Sequence, residues 1–126
     1  SNKLLFQSGK SEIEDKGKEA LKKLSEALIK NNDIDVNIEG HTDNVPIKTA
    51  QFRDNWDLSV ARALNVLKVL EETKMPPTRL TASGKGEYFP KADNSTPQGK
   101  ALNRRTEIIL SPKLDVLFQM LEAQKK

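Results

Sequence analysis

Hydrophobic positions along the chain fall into two periods. Ile34, Val36 and Ile38 alternate with Asp35, Asn37 and Glu39, the period-two pattern of a strand with one buried face. Ile13, Ala20, Leu21, Leu24, Ala27 and Leu28 recur instead at three- and four-residue steps, which predicts a helix with one apolar stripe laid on a sheet. Ser11 and Glu14 have the spacing of a capping box, so this helix is expected to start at Ser11, and Asn31-Asn32-Asp33 to end it. Ahead of it, Leu4-Leu5-Phe6 closed by Ser8-Gly9 predicts a short first strand and a turn. A second helix is expected from Asn55 or Asp57 to Thr73, carried by Leu58, Val60, Ala61, Leu64, Leu67 and Leu70, with Pro76-Pro77 forbidding its continuation. Arg79 to Ser83 and Thr106 to Leu110 read as the third and last strands. Between them, residues 84–99 are rich in Gly, Pro, Asn and Ser and predict a packed surface loop with a short helical turn.

Ser111-Pro112 has the form of an N-cap followed by proline at the first helical position. Leu114, Leu117, Phe118 and Leu121 then share one helical face. The expectation is a short amphipathic C-terminal helix, residues 112–126, packed on a domain of residues 1–111, with docking or self-association as the alternative. The order βαβα followed by two further strands describes a layered α/β sandwich, helices against a mixed four-stranded sheet. Parallel strand pairs need crossovers, which the first two βα steps supply.

Composition narrows the function classes. With 126 residues, 36% hydrophobic and 31% charged, the chain suits one domain, and no apolar run approaches the roughly 18 to 20 residues a membrane span requires. Its 21 basic and 18 acidic residues are scattered, with no Lys or Arg cluster to track a phosphate backbone, so nucleic acid is not the expected partner. Cysteine is absent, which removes disulfides and thiolate metal sites. The chain opens directly on a strand pattern and is expected to be a fragment of a longer protein.

Candidate chemistry gathers where the alternating run stops, at Glu39-Gly40-His41-Thr42-Asp43-Asn44. Ligand groups collect at such strand ends because the rigid strand positions them. The irregular segment from Asn44 to Asp54 is expected to form one wall of the site. His41-x-Asp43 could suggest a metal or a general base, but His41 is the only histidine and metal sites need three or four ligands, so a structural histidine is expected. Gly84-Lys85-Gly86 lacks the remainder of a nucleotide fingerprint and reads as a turn. Trp56 is expected as a core anchor, with stacking on sugar as the alternative. Asn55 and Arg62, seven residues apart in the second helix, face the same way.

Glu39-Gly40-His41-Thr42-Asp43-Asn44, followed by Asn55-Trp56-Asp57-Leu58-Ser59-Val60-Ala61-Arg62-Ala63, resembles the signature of the OmpA-like peptidoglycan-binding domain, shared by OmpA C-terminal and MotB-type domains. Arg79-Leu80, Gly84-Lys85-Gly86, Pro90, Asn94, Thr96, Gly99 and Asn103-Arg104-Arg105-Thr106-Glu107 continue the resemblance in order, so it covers about residues 4–110. The longer segment from Val45 to Arg53 is similar to the flagellar stator branch. The resemblance implies a β-α-β-α-β-(α)-β fold. It also implies non-catalytic binding of the stem peptide of bacterial peptidoglycan through its diaminopimelate, with no metal or other cofactor. The implied setting is the periplasm of Gram-negative bacteria, tethering an outer-membrane, lipoprotein or stator-type protein to the wall. A missing N-terminal region would then anchor the full-length protein in the membrane, and dimerisation is left open.

Carried over residue by residue, the resemblance makes Asp43 the acceptor of the ligand ammonium and Arg62 the planar fork that grips its carboxylate, a geometry Lys does not reproduce. Asn55 is expected beside Arg62, although it is also placed to cap the helix. Thr42 and Leu58 flank the pair. Arg105 is expected at the pocket edge and Arg104 in a structural role. The Ser8-Gly9 turn lacks side chains that some relatives place there. Two rival classes stand beside this reading. One is a wall amidase or endopeptidase, which would need a metal cluster or an activated nucleophile that the sequence does not display. The other is a protein-interaction module using the C-terminal helix.

Overall fold

The computed structural model describes residues 3–112 and 114–124. Strands β1 (Lys3–Leu5), β2 (Ile34–Gly40), β3 (Leu80–Gly84) and β4 (Arg105–Pro112) lie in one mixed sheet in the order β1-β4-β2-β3. Helix α1 (Asp15–Ile29) joins β1 to β2, α2 (Asn55–Glu72) joins β2 to β3, and α3 (Pro97–Asn103) precedes β4. β2 and β3 are the parallel pair that the α2 crossover requires, while β4 runs antiparallel to both β2 and β1. The three longer strands make the body of the sheet, and β1 adds three residues at its edge. β1 and β2 are therefore not neighbours, because β4 lies between them.

Several boundaries differ from the periodicity reading, each for a local reason. α1 begins at Asp15, with no side-chain cap from Glu14. Ser11 is buried and bound elsewhere: its carbonyl and hydroxyl accept from Asn65 Nδ2 at 2.7 and 3.3 Å, which fastens this segment to α2. The cap of α2 is Asp54, whose carboxylate accepts from the Asp57 N–H at 3.0 Å, so Asn55 is released from capping. Pro77–Arg79 forms a single 3₁₀ turn before β3. There the buried Arg79 donates to the carbonyls of Ile34, Leu28 and Asn31 at 2.9, 2.9 and 2.7 Å and closes the far end of the sheet over the end of α1. Ser111 and Pro112 stay in β4 opposite Asp35 and Ile34, so they do not start a helix. The last helix, α4, runs from Leu114 to Gln124. Phe118 and Leu121 on it are exposed, so these two do not make the expected contact with the domain; the side chains of Leu114 and Leu117 lie outside the described part of the structure.

The core joins Val36, Ile38 and Ile108 of the sheet to Leu21 and Leu28 of α1 and to Ala63, Val66, Val69 and Leu70 of α2, with Phe6 and Met75 completing it. Each fully buried large side chain contributes about 1.5–3 kcal/mol. Close approach of α2 to the end of β2 depends on Gly40: a Cβ there would lie 1.8 Å from the Ser59 carbonyl oxygen. Among the described residues no helix is long and apolar enough to cross a membrane.

Candidate functional site

Past Gly40, the chain turns under the first turn of α2, and this crossing builds a cleft. Asp43 is nearly fully buried there, 5% exposed. Its Oδ1 accepts from the Val45 N–H at 3.1 Å, and its Oδ2 pairs with Arg104 Nη1 at 3.1 Å. Thr42 supports it from below, its hydroxyl donating to the Asp43 carbonyl at 2.8 Å and its N–H to the Gly86 carbonyl at 3.0 Å. Asn55 Nδ2 donates to the Val45 carbonyl at 3.1 Å and, more weakly, to that of Asp43 at 3.4 Å. The other amide atom, Asn55 Oδ1, is buried with no hydrogen-bond partner among the described residues. Asp43, Asn55 and Leu58 line a cleft of about 170 Å³ together with Val45, Pro46 and Ile47 of the following loop and Ser8 and Gly9 of the first turn. A larger groove of about 290 Å³ lies between the start of α1 and α2, but its charged side chains, Glu12, Lys18, Lys68 and Glu72, are solvated rim groups of mixed sign. Buried acceptors make the smaller cleft the candidate.

Arg62, two turns along α2, stands behind this cleft and is fully buried. Its Nε–H donates to the Lys10 carbonyl at 2.8 Å, Nη1 to that of His41 at 2.9 Å, and Nη2 to that of Gln7 at 3.1 Å. The Phe6 ring covers it, 5.1 Å from ring centre to Cζ. Burial lowers its pKa to about 10 and Arg104 adds to the lowering, while Asp43 opposes both, so it remains a cation at neutral pH. The expected free fork is thus partly committed: three of its five N–H groups hold chain carbonyls together.

The two consecutive arginines exchange their expected places. Arg104 reaches Asp43 and also donates through Nε to the Phe6 carbonyl at 2.9 Å, with 18% of its side chain exposed. Arg105 does not reach the cleft edge. It opens β4, where side chains alternate between faces, and it points to Glu107, 2.9 Å away, and to the Phe89 carbonyl at 3.0 Å. His41 lies on that same side, 3% exposed, with Glu107 and Glu39 carboxylates 3.5 and 3.7 Å from Nε2 and neither ring nitrogen hydrogen-bonded among the described residues. Burial, with Arg105 adding, lowers its pKa to about 4 against the pull of Glu107, so the ring is neutral, as a structural histidine. The described residues hold no group of three His, Cys, Asp or Glu suited to a metal.

Trp56 is not a core anchor: it is 48% exposed and leans on Tyr88 with ring centres 5.1 Å apart. It follows Asn55 on the outward side of the helix, while Ser59, Arg62, Ala63 and Val66 take the inward side. Sequence reasoning also passed over the partnership of Arg104 with Asp43. The only available signal was the arginine pair itself.

A mixed sheet whose second strand ends at a buried aspartate in a small cleft, with Arg104 paired to that aspartate and Arg62 buried behind it, defines an α/β sandwich with an acidic cleft at the end of its second strand. The chain belongs to the OmpA family, which matches residues 5–104. It is 40% identical over 111 residues to motility protein B of Bacillus subtilis, an alignment covering 87% of this chain and 42% of that protein. The chain therefore spans less than half the length of that relative. A putative MotB-like protein from Desulfovibrio vulgaris is 35% identical with a TM-score of 0.76, over 87% of this chain and 68% of that one. The peptidoglycan-associated lipoprotein of Burkholderia pseudomallei, 20% identical, shares the fold, with a TM-score of 0.78 over 88% and 91% of the two chains.

Proposed function

We propose that this domain binds bacterial peptidoglycan without cleaving it, through the diaminopimelate of the stem peptide, and so holds a longer envelope protein to the cell wall. The observation that carries the reading is the pairing, in one cleft, of a buried Asp43 carboxylate and the unpartnered Asn55 Oδ1 with two arginines beside them. Diaminopimelate presents an ammonium and a carboxylate on one stereocentre. Asp43 and Asn55 Oδ1 accept the ammonium. The carboxylate is met by Arg104, which is partly exposed, and by the N–H groups of Arg62 not given to carbonyls. Thr42 holds the Asp43 backbone, and Leu58 offers the methylene chain an apolar floor. Arg105 is assigned no contact.

Ligand binding exchanges the Asp43–Arg104 ion pair for two ligand ion pairs, so the net gain is modest, roughly 1.5–3 kcal/mol for each charge-assisted bond before that exchange. Firm anchoring then comes from many stems and several tethered domains through effective concentration. The family relationship to a lipoprotein named for its association with peptidoglycan supports the substrate class. Relatives at 34–35% identity that are named as an outer membrane protein and an outer-membrane lipoprotein support membrane attachment of the full-length protein at the cell envelope.

The test is calorimetric titration of meso-diaminopimelate and a stem tripeptide into the domain and its variants. Saturable binding is expected, at least tenfold weaker in Asp43→Asn and in Arg104→Gln, and within about twofold of wild type in Arg105→Lys. Absence of binding by the folded wild-type domain would reject the stem-peptide site. Incubation with purified sacculi is expected to sediment the domain and release no soluble muropeptides; enzyme-dependent release would replace the binding reading with hydrolysis.

A further inference from the structure

Beside the cleft stand two aromatic rings that the fold does not use. Trp56 and Tyr88 are 48% and 60% exposed, and neither belongs to the core cluster. Their rings meet at 35° with centres 5.1 Å apart, forming a tilted shelf with about half of each residue's surface open to solvent. This shelf is built, not incidental. Gly86, with φ of +62°, lies beneath it, and a Cβ there would come within 3.2 Å of the Tyr88 ring and 3.3 Å of Trp56. The fully buried Ser59 hydroxyl donates to the Trp56 carbonyl at 2.9 Å and accepts from the Gly86 N–H at 3.0 Å, locking the two supporting segments together.

One of these segments, the start of α2, lines the cleft through Asn55 and Leu58, and the other is bonded to it. Trp56 follows Asn55, and Tyr88 follows Glu87, whose carboxylate lies 3.5 Å from Asn55 Nδ2. The Gly86 carbonyl holds the Thr42 N–H at 3.0 Å, next to Asp43. Pocket and shelf are thus two sides of one hydrogen-bonded unit.

We infer that Trp56 and Tyr88 form a sugar-stacking subsite that takes a hexosamine ring of the peptidoglycan glycan strand while the cleft holds the stem peptide. This rests on the reading of the cleft given above. The chemistry suits the shelf: β-1,4-linked hexosamines carry equatorial substituents, so each ring presents a face of axial C–H bonds to the electron-rich face of an aromatic ring. Diaminopimelate is the third stem residue, so two residues and a lactyl ether tether it to the sugar, an extended reach of about 10 Å. A protein partner would instead be expected to use the whole exposed row of Trp56, Val60 and Leu64 along α2.

Trp56 is the only tryptophan, so its fluorescence reports the shelf alone. Titration with a soluble β-1,4-N-acetylglucosamine tetramer, which lacks any stem, should shift Trp56 emission saturably, and Tyr88→Ala should abolish the shift. In calorimetry, a disaccharide-bearing stem peptide should bind about 5- to 10-fold more tightly than the same peptide without sugar. Trp56→Ala should erase that difference and leave the affinity for the bare peptide unchanged. Equal affinities of the two ligands for the wild type, with no response to the tetramer, would overturn the shelf while leaving the cleft assignment standing. A tetramer response without any peptide binding would support the shelf and reject the cleft. Loss of tetramer binding on Val60→Ser with Leu64→Ser, both rings intact, would overturn the sugar assignment in favour of an extended apolar docking face.

Discussion

Removing the Arg62 guanidinium should damage the fold before it damages binding. Arg62→Ala deletes three charge-assisted bonds, at 2.8, 2.9 and 3.1 Å, that hold the first turn against the end of β2. Such bonds contribute roughly 1.5–3 kcal/mol each. Gln7 and Lys10 are exposed residues whose carbonyls water can reach after the change, whereas the His41 carbonyl belongs to a residue 3% exposed and loses its partner outright. Asp43 also loses a neighbouring cation, and Phe6 loses the group it covers. Discounting for rehydration, the sum is about 3–5 kcal/mol, against total stabilities of about 5–15 kcal/mol for single domains. At about 3–5 °C per kcal/mol for a chain of this size, Tm should fall by about 10–20 °C. Thermal melts followed by circular dichroism, with amide exchange at residues 7–10, measure this directly. Arg62→Lys should recover less than half, since one ammonium cannot span three carbonyls. A Tm within 3 °C of wild type for Arg62→Ala, or full recovery by Lys, would refute the reasoning.

Two other outcomes are expected. His41 is held neutral in the fold with a pKa of about 4, while the unfolded chain takes up its proton near 6.5. Its contribution is therefore fully present above pH 6.5 and is lost as pH falls toward 4, amounting to about 2 kcal/mol between pH 7 and pH 5. Denaturant midpoints at those two pH values should show a smaller change in His41→Gln than in wild type; identical changes would count against the burial of a neutral ring. Gly40→Ala should cost about 3 kcal/mol or more, because its Cβ would meet the Ser59 carbonyl at 1.8 Å and push α2 off the strand end. A variant with wild-type melting would contradict that packing.

Most of the architecture is legible because burial imposes periodicity. The alternation of Ile34, Val36 and Ile38 marks the inner face of β2, and Leu58 and Leu70 of the expected α2 stripe are buried, whereas Val60 and Leu64, counted in the same stripe, are exposed. What the pattern misses are choices made by tertiary partners. Ser11 has a capping-box spacing, yet Asn65 claims it, and no local rule sees a residue 54 positions away. Arg104 and Arg105 are chemically equal in sequence, and a register difference of one residue decides which faces Asp43. Asp43, Asn55 and Leu58 do share one cleft, as the motif suggests, because each hangs on a rigid element next to Gly40. Trp56 misleads because size favours burial, while its position on α2 faces outward.

The place of β4 in the middle of the sheet has a consequence for how the domain is made. Lys3 lies opposite Glu107 and Ile34 opposite Pro112, so β1 has no neighbour, and β2 only β3, until the last strand exists. On the ribosome, the segment through α2 and β3 is able to gather around β2. The first strand and the turn after it, by contrast, must wait for some hundred residues to be added before they can dock. The Asp43–Arg104 pair spans 61 positions, and the bond from Arg104 to Phe6 spans 98. Contacts of such separation fold slowly. They also tie completion of the cleft to completion of the chain: Asp43 has no Arg104 to pair with until the final strand has emerged and entered between the first two.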